Sequence, residues 1–279
     1  MINGINSREM ILEILLEIEE GEHSHVAIRN ALSKYQFLPK QDRAFITRVC
    51  EGTLEYRIQI DYIINSFSKV TVDKMKPAIR EILRSAVYQL KYMDSVPDSA
   101  VCNEAVKLAQ RKGFYNLKPF VNGVLRTIAR EMDQVRFPQK EDDLLKYLSV
   151  KYSMPEVLVT RWLEAYGEET TEKILADFLT EHPLTIRCRT YLNSKEEVIK
   201  SLESQGVHVA PAPYLPYAYS ISEFNHILAL DAFIKGKIVV QDVSSMLVAE
   251  VADPKKGDYV IDVCAAPGGK SLHMGDKME

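Results

Sequence analysis

Apolar residues recur at helical spacing through the first half of the chain. One series starts at Ile11, after Ser7 in a capping position, and ends at Gly21. Pro77 stands where the first turn of a helix tolerates proline, ahead of another series. Six or seven helices with short loops and no strand-like alternation predict a compact all-α domain over residues 1–137. Further helices are predicted from residue 24, after residue 39, and over residues 99–112 and 118–131.

The pattern changes after residue 137. Residues 143–179 still show helical periodicity, but residues 184–189 alternate between apolar and polar side chains as a strand does. Ser194 opens a capping box for a helix, and residues 207–210 are again extended. A helical linker and a small α+β module are therefore predicted for residues 138–232.

The last segment, residues 233–279, has the layout of an α/β unit. Residues 238–240 predict a strand, and Asp242 is placed to cap the helix that follows. The apolar run 259–264 is typical of a buried parallel strand, and it leads through a Pro-Gly-Gly turn into a helix start. We expect the start of a Rossmann-like α/β domain, which makes the whole chain multidomain.

Composition places few limits on function. With 46% apolar and 27% charged residues, the 279-residue chain is ordinary globular material with room for two or three domains. The net charge of −4 hides a gradient, because residues 23–137 carry 19 Lys/Arg against 11 Asp/Glu, whereas residues 138–279 carry 15 against 22. A polyanion could bind the basic part, but solvated helix faces explain the same charges.

The four cysteines, Cys50, Cys102, Cys188 and Cys264, are widely spaced without a Cys-x-x-Cys pair. Neither a metal site nor a disulfide framework is expected, and a reduced, cytoplasmic setting fits best. The sequence shows no leader and no 18-residue apolar run, so we expect no membrane segment.

The turn after residue 264 is the candidate ligand site. Gly269-Lys270-Ser271 looks like the end of a P-loop, but Cys264 stands where that motif requires glycine, and the dinucleotide pattern is absent too. A Gly-Gly turn at a helix start would still let backbone amides meet a carboxylate, such as that of S-adenosylmethionine, with Asp262 balancing its cationic end. A purely structural turn remains the alternative.

Three phrases of the helical region carry a family resemblance. Residues 81–90 (EILRSAVYQL), 103–109 (NEAVKLA) and 120–126 (FVNGVLR) resemble the helical domain of the antitermination factor NusB. In that family the domain binds RNA. By location, the resemblance makes four residues candidate phosphate contacts, although each would also suit a solvated helix face: Arg29, Arg43, Arg48 and Arg57.

A second resemblance spans essentially the whole chain. Residues 263–270 (VCAAPGGK), 241–245 (QDVSS) and 152–156 (YSMPE), with Trp162, resemble the bacterial RNA (cytosine-5) methyltransferases of the Sun type, in which a NusB-like domain precedes the catalytic domain. The resemblance implies 16S ribosomal RNA as substrate, S-adenosylmethionine as cofactor and a role in ribosome biogenesis. It assigns cofactor binding to Cys264, Ala265, Ala266, Pro267, Gly268, Gly269 and Lys270.

Arg187 and Arg189 would lie on one side of their strand. There they would offer guanidinium groups to RNA, or form a charged solvent face.

No catalytic residue is predicted within these 279 residues. Enzymes of this family use a cysteine thiolate in a Pro-Cys motif, and a second cysteine in a Thr-Cys motif, both downstream of the cofactor turn; neither motif occurs here. We therefore expect the front part of an enzyme, inactive alone, with residues 257–279 poorly packed or covered by a neighbouring chain. The alternative is a non-catalytic RNA-binding protein of the antitermination type with a vestigial tail. The oligomeric state stays open.

Overall fold

The computed structural model describes residues 6–35, 38–180, 182–224 and 226–279. The chain divides into two compact units, residues 1–180 and residues 181–279. This boundary lies inside the predicted middle region 138–232, and the three-part division with boundaries at 137/138 and 232/233 stays a prediction.

The first unit is helical, as predicted. Pro77 opens helix α5 (Pro77–Tyr92), and the positive φ of Gly21, 113°, follows the end of helix α1 (Ser7–Glu19). The cap of α1 differs from the expectation: the side-chain oxygen of Asn6 accepts hydrogen bonds from the amides of Arg8 and Glu9, and Ser7 is already helical. The helices are α1 (Ser7–Glu19), α2 (Ser24–Lys34), α3 (Lys40–Glu55), α4 (Arg57–Phe67), α5 (Pro77–Tyr92), α6 (Asp98–Arg111), α7 (Lys118–Glu131), α8 (Leu144–Lys151) and α9 (Glu156–Phe178).

Helix α5 lies at the centre of this unit and packs against α1, α3, α4, α6 and α7. Its apolar face is buried, and so is the carboxylate of Glu81, which is 3% exposed. Arg84 Nη1 donates to Glu81 at 2.6 Å, while its Nε and Nη2 donate to the two carboxylate oxygens of Asp61 in α4. A bidentate pair of this kind fixes α4 against α5 more firmly than an exposed ion pair would.

Helices α8 and α9 belong to the same unit. Gln59 of α4 donates to the carbonyls of Val150 and Lys151, each at 3.1 Å. Glu172 of α9 accepts hydrogen bonds from Lys151 and Lys140, each at 3.0 Å, which lower the pKa of Glu172 to about 2. These polar contacts join α9 to α8 and to the segment before it.

The second unit is built on an antiparallel sheet whose strands lie in the order β2 (His208–Pro211), β3 (Ala218–Ser222), β1 (Leu184–Cys188) and β4 (Ile238–Val240). Ile186, Cys188 and Ile221 lie in its core with Val198 and Leu202 of the covering helix α10 (Lys195–Ser204). The predicted cap is confirmed, because the Ser194 hydroxyl accepts from the amide of Glu197 at 3.2 Å. The elements are β1 (Leu184–Cys188), α10 (Lys195–Ser204), β2 (His208–Pro211), β3 (Ala218–Ser222), α11 (Asp231–Ile234), β4 (Ile238–Val240), α12 (Val243–Ala252) and α13 (Gly269–Met278).

The predicted parallel strand at residues 259–264 is not formed. Strand β4 pairs with β1, with Ile186 opposite Val240, so it completes the antiparallel module. Among the residues that the structure describes, 259–264 pair with no strand, and Tyr259 and Val263 are 91% and 90% exposed. An apolar run forms an inner parallel strand only when neighbouring strands and helices cover both its faces, and this unit supplies neither. The next helix, α13, does pack, against α12.

Candidate functional site

The 264–270 loop leads directly into helix α13. Gly268 caps this helix with φ of 98°, a conformation that favours glycine. The amide of Leu272 donates to the Gly268 carbonyl at 2.8 Å, whereas no described residue accepts a hydrogen bond from the three amides before it, at residues 269–271. Unpartnered amides at a helix start form a natural site for an anionic group.

The side chain of Asp262 links the two ends of this loop. Its carboxylate accepts a hydrogen bond from the Ser271 hydroxyl at 2.5 Å and from the Cys264 amide at 3.0 Å. These two bonds lower the pKa of Asp262, so the group is ionised at neutral pH. The carboxylate thus joins the residues before the loop to the first turn of the helix after it.

The loop leaves room for a ligand. Residues 264–267 and Lys270 are exposed, and Gly268 and Gly269 are half-buried. A β-carbon at Gly269 would meet no atom within 4 Å, and one at Gly268 would make only ordinary contacts, the nearest at 3.8 Å. The backbone therefore faces open space, as the predicted cofactor site requires.

The cysteines divide into two groups. Cys50, Cys102 and Cys188 are at most 2% exposed, whereas Cys264 is exposed in the loop. Burial raises the pKa of Cys50 and of Cys102, and it raises the pKa of Cys188 to about 11. Since the thiolate is the nucleophilic form, these three thiols are poor nucleophiles at neutral pH.

Arg187 in β1 and Arg189 directly after it point to a common partner, because both guanidinium groups reach Asp276 of α13. Arg187 Nη1 is 2.7 Å from Asp276 Oδ2, and its Nε donates to Gln241 Oε1 at 2.9 Å. Arg189 donates to both Asp276 oxygens, at 2.7 and 3.0 Å. Because Arg187 is 2% exposed, it offers no surface to RNA phosphate here, and the solvent-face alternative fails for it as well. The sequence feature that could have indicated this partner is the acidic residue at position 276, in the helix that follows the 264–270 loop.

A cavity of about 260 Å³ lies beside Arg187 and Asp276, and Tyr217, Glu250 and His273 also line it. Tyr217 donates to Glu250, which also accepts from Lys277 at 2.8 Å. His273 is 2% exposed, and burial, reinforced by the positive charge of Arg187, lowers its pKa to about 4. The imidazole is therefore neutral at physiological pH.

The candidate RNA contacts of the first unit lie on α2, α3 and α4. Arg29, Arg48 and Arg57 are exposed and Arg43 is half-buried, and none of their guanidinium groups has a hydrogen bond or ion pair with another described residue. Arg84, in contrast, is fully engaged by carboxylates. Neither a cluster of side chains suited to a metal nor a helix able to span a bilayer occurs among the described residues.

Sequence comparison matches two parts of the chain to known families. Residues 5–130 match the NusB family model, and residues 154–227 match the ferredoxin-like domain of Methyltr_RsmF/B-like proteins. The first match covers helices α1 to α7 of the helical unit, and the second covers helix α9 together with strands β1 to β3.

Curated relatives match almost the whole chain. The protein named "Probable ribosomal RNA small subunit methyltransferase B" from Bacillus subtilis (strain 168) is 34% identical over 272 residues, which are 98% of this chain and 60% of the relative. Its namesake from Synechocystis sp. is 31% identical over 276 residues, 98% of this chain and 61% of the relative. A solved structure described as "Crystal Structure of PH0851" superposes with a TM-score of 0.72 at 26% identity, covering 99% of this chain and 62% of that one. The chain thus spans about 60% of the length of the curated relatives it matches.

Proposed function

We propose that this chain is part of an rRNA methyltransferase, because 98% of it is similar to proteins named ribosomal RNA small subunit methyltransferase B, and because it matches the NusB family and the RsmF/B-like ferredoxin-like domain. The reaction we propose transfers a methyl group from S-adenosylmethionine to carbon 5 of a cytidine in 16S ribosomal RNA. The enzyme would act in the cytoplasm.

The observation that carries this proposal is the 264–270 loop with its unpartnered helix start. The amides of residues 269–271 would hold the carboxylate of S-adenosylmethionine, because a helix N-terminus favours a negative group. Gly268 and Gly269 would let the cofactor approach the backbone, and the ionised Asp262 would stand near its positive charge. Bound there, S-adenosylmethionine supplies an electrophilic methyl group.

The apolar run 259–263 supports a Rossmann-like assignment for the part of residues 233–279 that follows strand β4 and helix α12. Tyr259, Ile261 and Val263 are 91%, 73% and 90% exposed, which is unusual for large apolar side chains so close together. We propose that this run becomes an inner strand of a methyltransferase sheet when further strands pair with it.

We also propose that this chain by itself transfers no methyl group. The chemistry requires a thiolate that adds to carbon 6 of the base, and three of the four thiols are buried with raised pKa values, while Cys264 lies in the proposed cofactor loop. Methylation of 16S RNA by the purified chain, abolished by replacing one of its cysteines, would contradict this.

Calorimetric titration with S-adenosylmethionine tests the cofactor site. The substitution Gly268→Val places a β-branched side chain at positive φ and should weaken binding at least about tenfold, because strain of about 1–3 kcal/mol displaces the loop. Gly275→Ala, in α13 with no atom within 4 Å of the added carbon, is the matched control and should bind as wild type does. RNA binding without any cofactor binding would contradict the cofactor site proposed for this chain, and it would fit either a partial enzyme or the antitermination-type alternative.

A further inference from the structure

Asp276 connects the antiparallel sheet to the helix that begins at the 264–270 loop. Two arginines, Arg187 in β1 and Arg189 directly after that strand, reach its carboxylate: Arg187 Nη1 lies 2.7 Å from Oδ2, and Arg189 Nη2 lies 2.7 Å from Oδ1. One acid therefore closes a three-residue ion-pair cluster between β1 and α13.

This cluster is fixed on both sides. The side chains of Arg187 and Asp276 are 3% and 10% exposed, and Arg189 is held further by the Gly236 carbonyl at 3.2 Å. Burial alone would raise the pKa of Asp276, but the hydrogen bonds and charges of the two arginines outweigh it and keep the pKa below its usual value. The carboxylate is ionised, and its position is determined by charge-assisted hydrogen bonds on both oxygens.

Helix α13 transmits this position to the loop. Its ten residues form a rod about 15 Å long. Asp276 anchors the central and C-terminal part of this helix. The same part is also anchored by the buried residues His273 and Met274 and by the ion pair between Lys277 and Glu250. At the other end, residues 264–267 are exposed, and the hydrogen bonds of Asp262 to described residues stay within the loop and the first turn of α13.

We propose that Asp276, through Arg187 and Arg189, is a positioning residue for the cofactor loop. The cluster holds α13 against the sheet, and the helix in turn presents the amides of residues 269–271 at a fixed place. The expected change in cofactor affinity rests on the proposed function, whereas the expected effect on the loop itself does not. It gives the two arginines a role other than the RNA contact that the sequence suggested.

The test combines Asp276→Asn, which removes the charge at constant size, with Asp231→Asn as matched control. Asp231 is in the same unit and has an exposed ion pair with Lys235 at 3.0 Å. We expect Asp276→Asn to raise the dissociation constant for S-adenosylmethionine about tenfold and to speed hydrogen exchange of residues 262–272 without cofactor. Asp231→Asn should change neither, and Asp276→Glu should retain more affinity than Asp276→Asn.

A second variant keeps the proposal testable if Asp276→Asn does not fold, as circular dichroism would show. Arg189→Gln removes the arginine whose side chain is 26% exposed and should produce the same two effects more weakly. Wild-type affinity and wild-type loop exchange in the folded variants would overturn the positioning role. If the wild-type chain binds no S-adenosylmethionine, the proposed function fails. Hydrogen exchange of residues 262–272 then decides alone whether Asp276 positions the loop: unchanged exchange in the variants overturns this role, and faster exchange supports it.

Discussion

Gly52 of α3 lies directly against the ring of Tyr88 in α5. A β-carbon at Gly52 would overlap the Cζ, Cε2 and Oη atoms of Tyr88, which is itself 6% exposed. Glycine is needed here for close approach of two helices and not for an unusual φ. The contact belongs to the interior of the first unit, where Tyr88 also neighbours the rings of Tyr56 and Tyr92.

Gly52→Ala should therefore lower the free energy of unfolding by about 2 kcal/mol, the usual cost of overpacking a dense core. The matched control is Gly123→Ala in α7, where the added carbon meets no atom within 4 Å. It should raise the free energy of unfolding by about 0.5–1 kcal/mol through helix propensity. Urea denaturation measures both, and equal stability of the two variants would contradict the packing described for Gly52.

Gln59 should be the main polar link between α4 and α8. Gln59→Leu removes its bonds to the carbonyls of Val150 and Lys151 and leaves the Tyr92 hydroxyl without its acceptor. We expect a loss of about 2 kcal/mol in the free energy of unfolding, because buried groups then lack partners. Gln139→Leu, which removes an exposed bond to the Phe137 carbonyl, should cost less than about 0.5 kcal/mol. A smaller loss at Gln59 than at Gln139 would refute this account.

Thiol labelling distinguishes the four cysteines. In the native chain one thiol, Cys264, should react rapidly with Ellman's reagent, and the three buried thiols should react only after denaturation. Cys264→Ser should abolish the rapid phase and leave the slow one unchanged. Two rapid thiols in the native wild-type chain would show that the burial of Cys50, Cys102 or Cys188 is not maintained in solution.

The helices of the first unit were predictable because their signals are local. Pro77 at the start of α5 and Gly113, with φ of 85° after α6, act within one turn of their own position. Burial of polar residues was harder to predict. The amides of Asn103 and Asn122 stand in apolar helical phrases, a placement that predicts buried hydrogen-bonded links between helices. Arg126 does join Asn103 to Asn122 across α6 and α7, but Asn103 is exposed.

The sheet and the site depend on distant partners, which periodicity does not identify. The strand at residues 238–240 is only three residues long, so its sequence is compatible with a parallel α/β sheet as well as with the antiparallel module. Its partner strand, β1, lies about fifty residues earlier in the chain. The alternation at Arg187 and Arg189 gave their common side correctly. What it could not give was the burial of that side under α13, because Asp276 is 87 residues further along the chain than Arg189.

Histidine protonation should weaken the second unit in mild acid. The pKa of His273 falls to about 4 in the folded chain, whereas an unfolded histidine titrates near 6.5. Between these values the unfolded chain binds a proton that the folded chain does not, so stability decreases as the pH falls from about 6.5 to about 4, by at most about 3.5 kcal/mol. His273→Gln should remove this part of the pH dependence.

Hydrogen exchange of α13 at several pH values measures the effect in the second unit alone. Asp276 and Glu250 have lowered pKa values, so the stability that their charges contribute is lost only at lower pH, as the pH falls through those values. An unchanged pH dependence of α13 exchange between pH 6.5 and 4 in His273→Gln would show that another group is responsible.

Exposed arginines of the helical bundle should contribute to RNA affinity by neutralising phosphates. Replacing Arg29, Arg48 or Arg57 by Gln should reduce the slope of log affinity against log salt by about 0.7–0.9 for each phosphate that is no longer neutralised, and weaken binding about fivefold near 0.1 M salt. Arg43 is half-buried and should have a smaller effect. Arg130→Gln is the matched control, because this exposed guanidinium is already bound by Glu131 at 2.6 Å. Fluorescence anisotropy with a 16S fragment gives both quantities. A side chain that neutralises no phosphate releases no counterion, so its replacement leaves the salt slope unchanged. If Arg130→Gln changes the slope and the other three substitutions do not, RNA therefore binds a different face of the bundle.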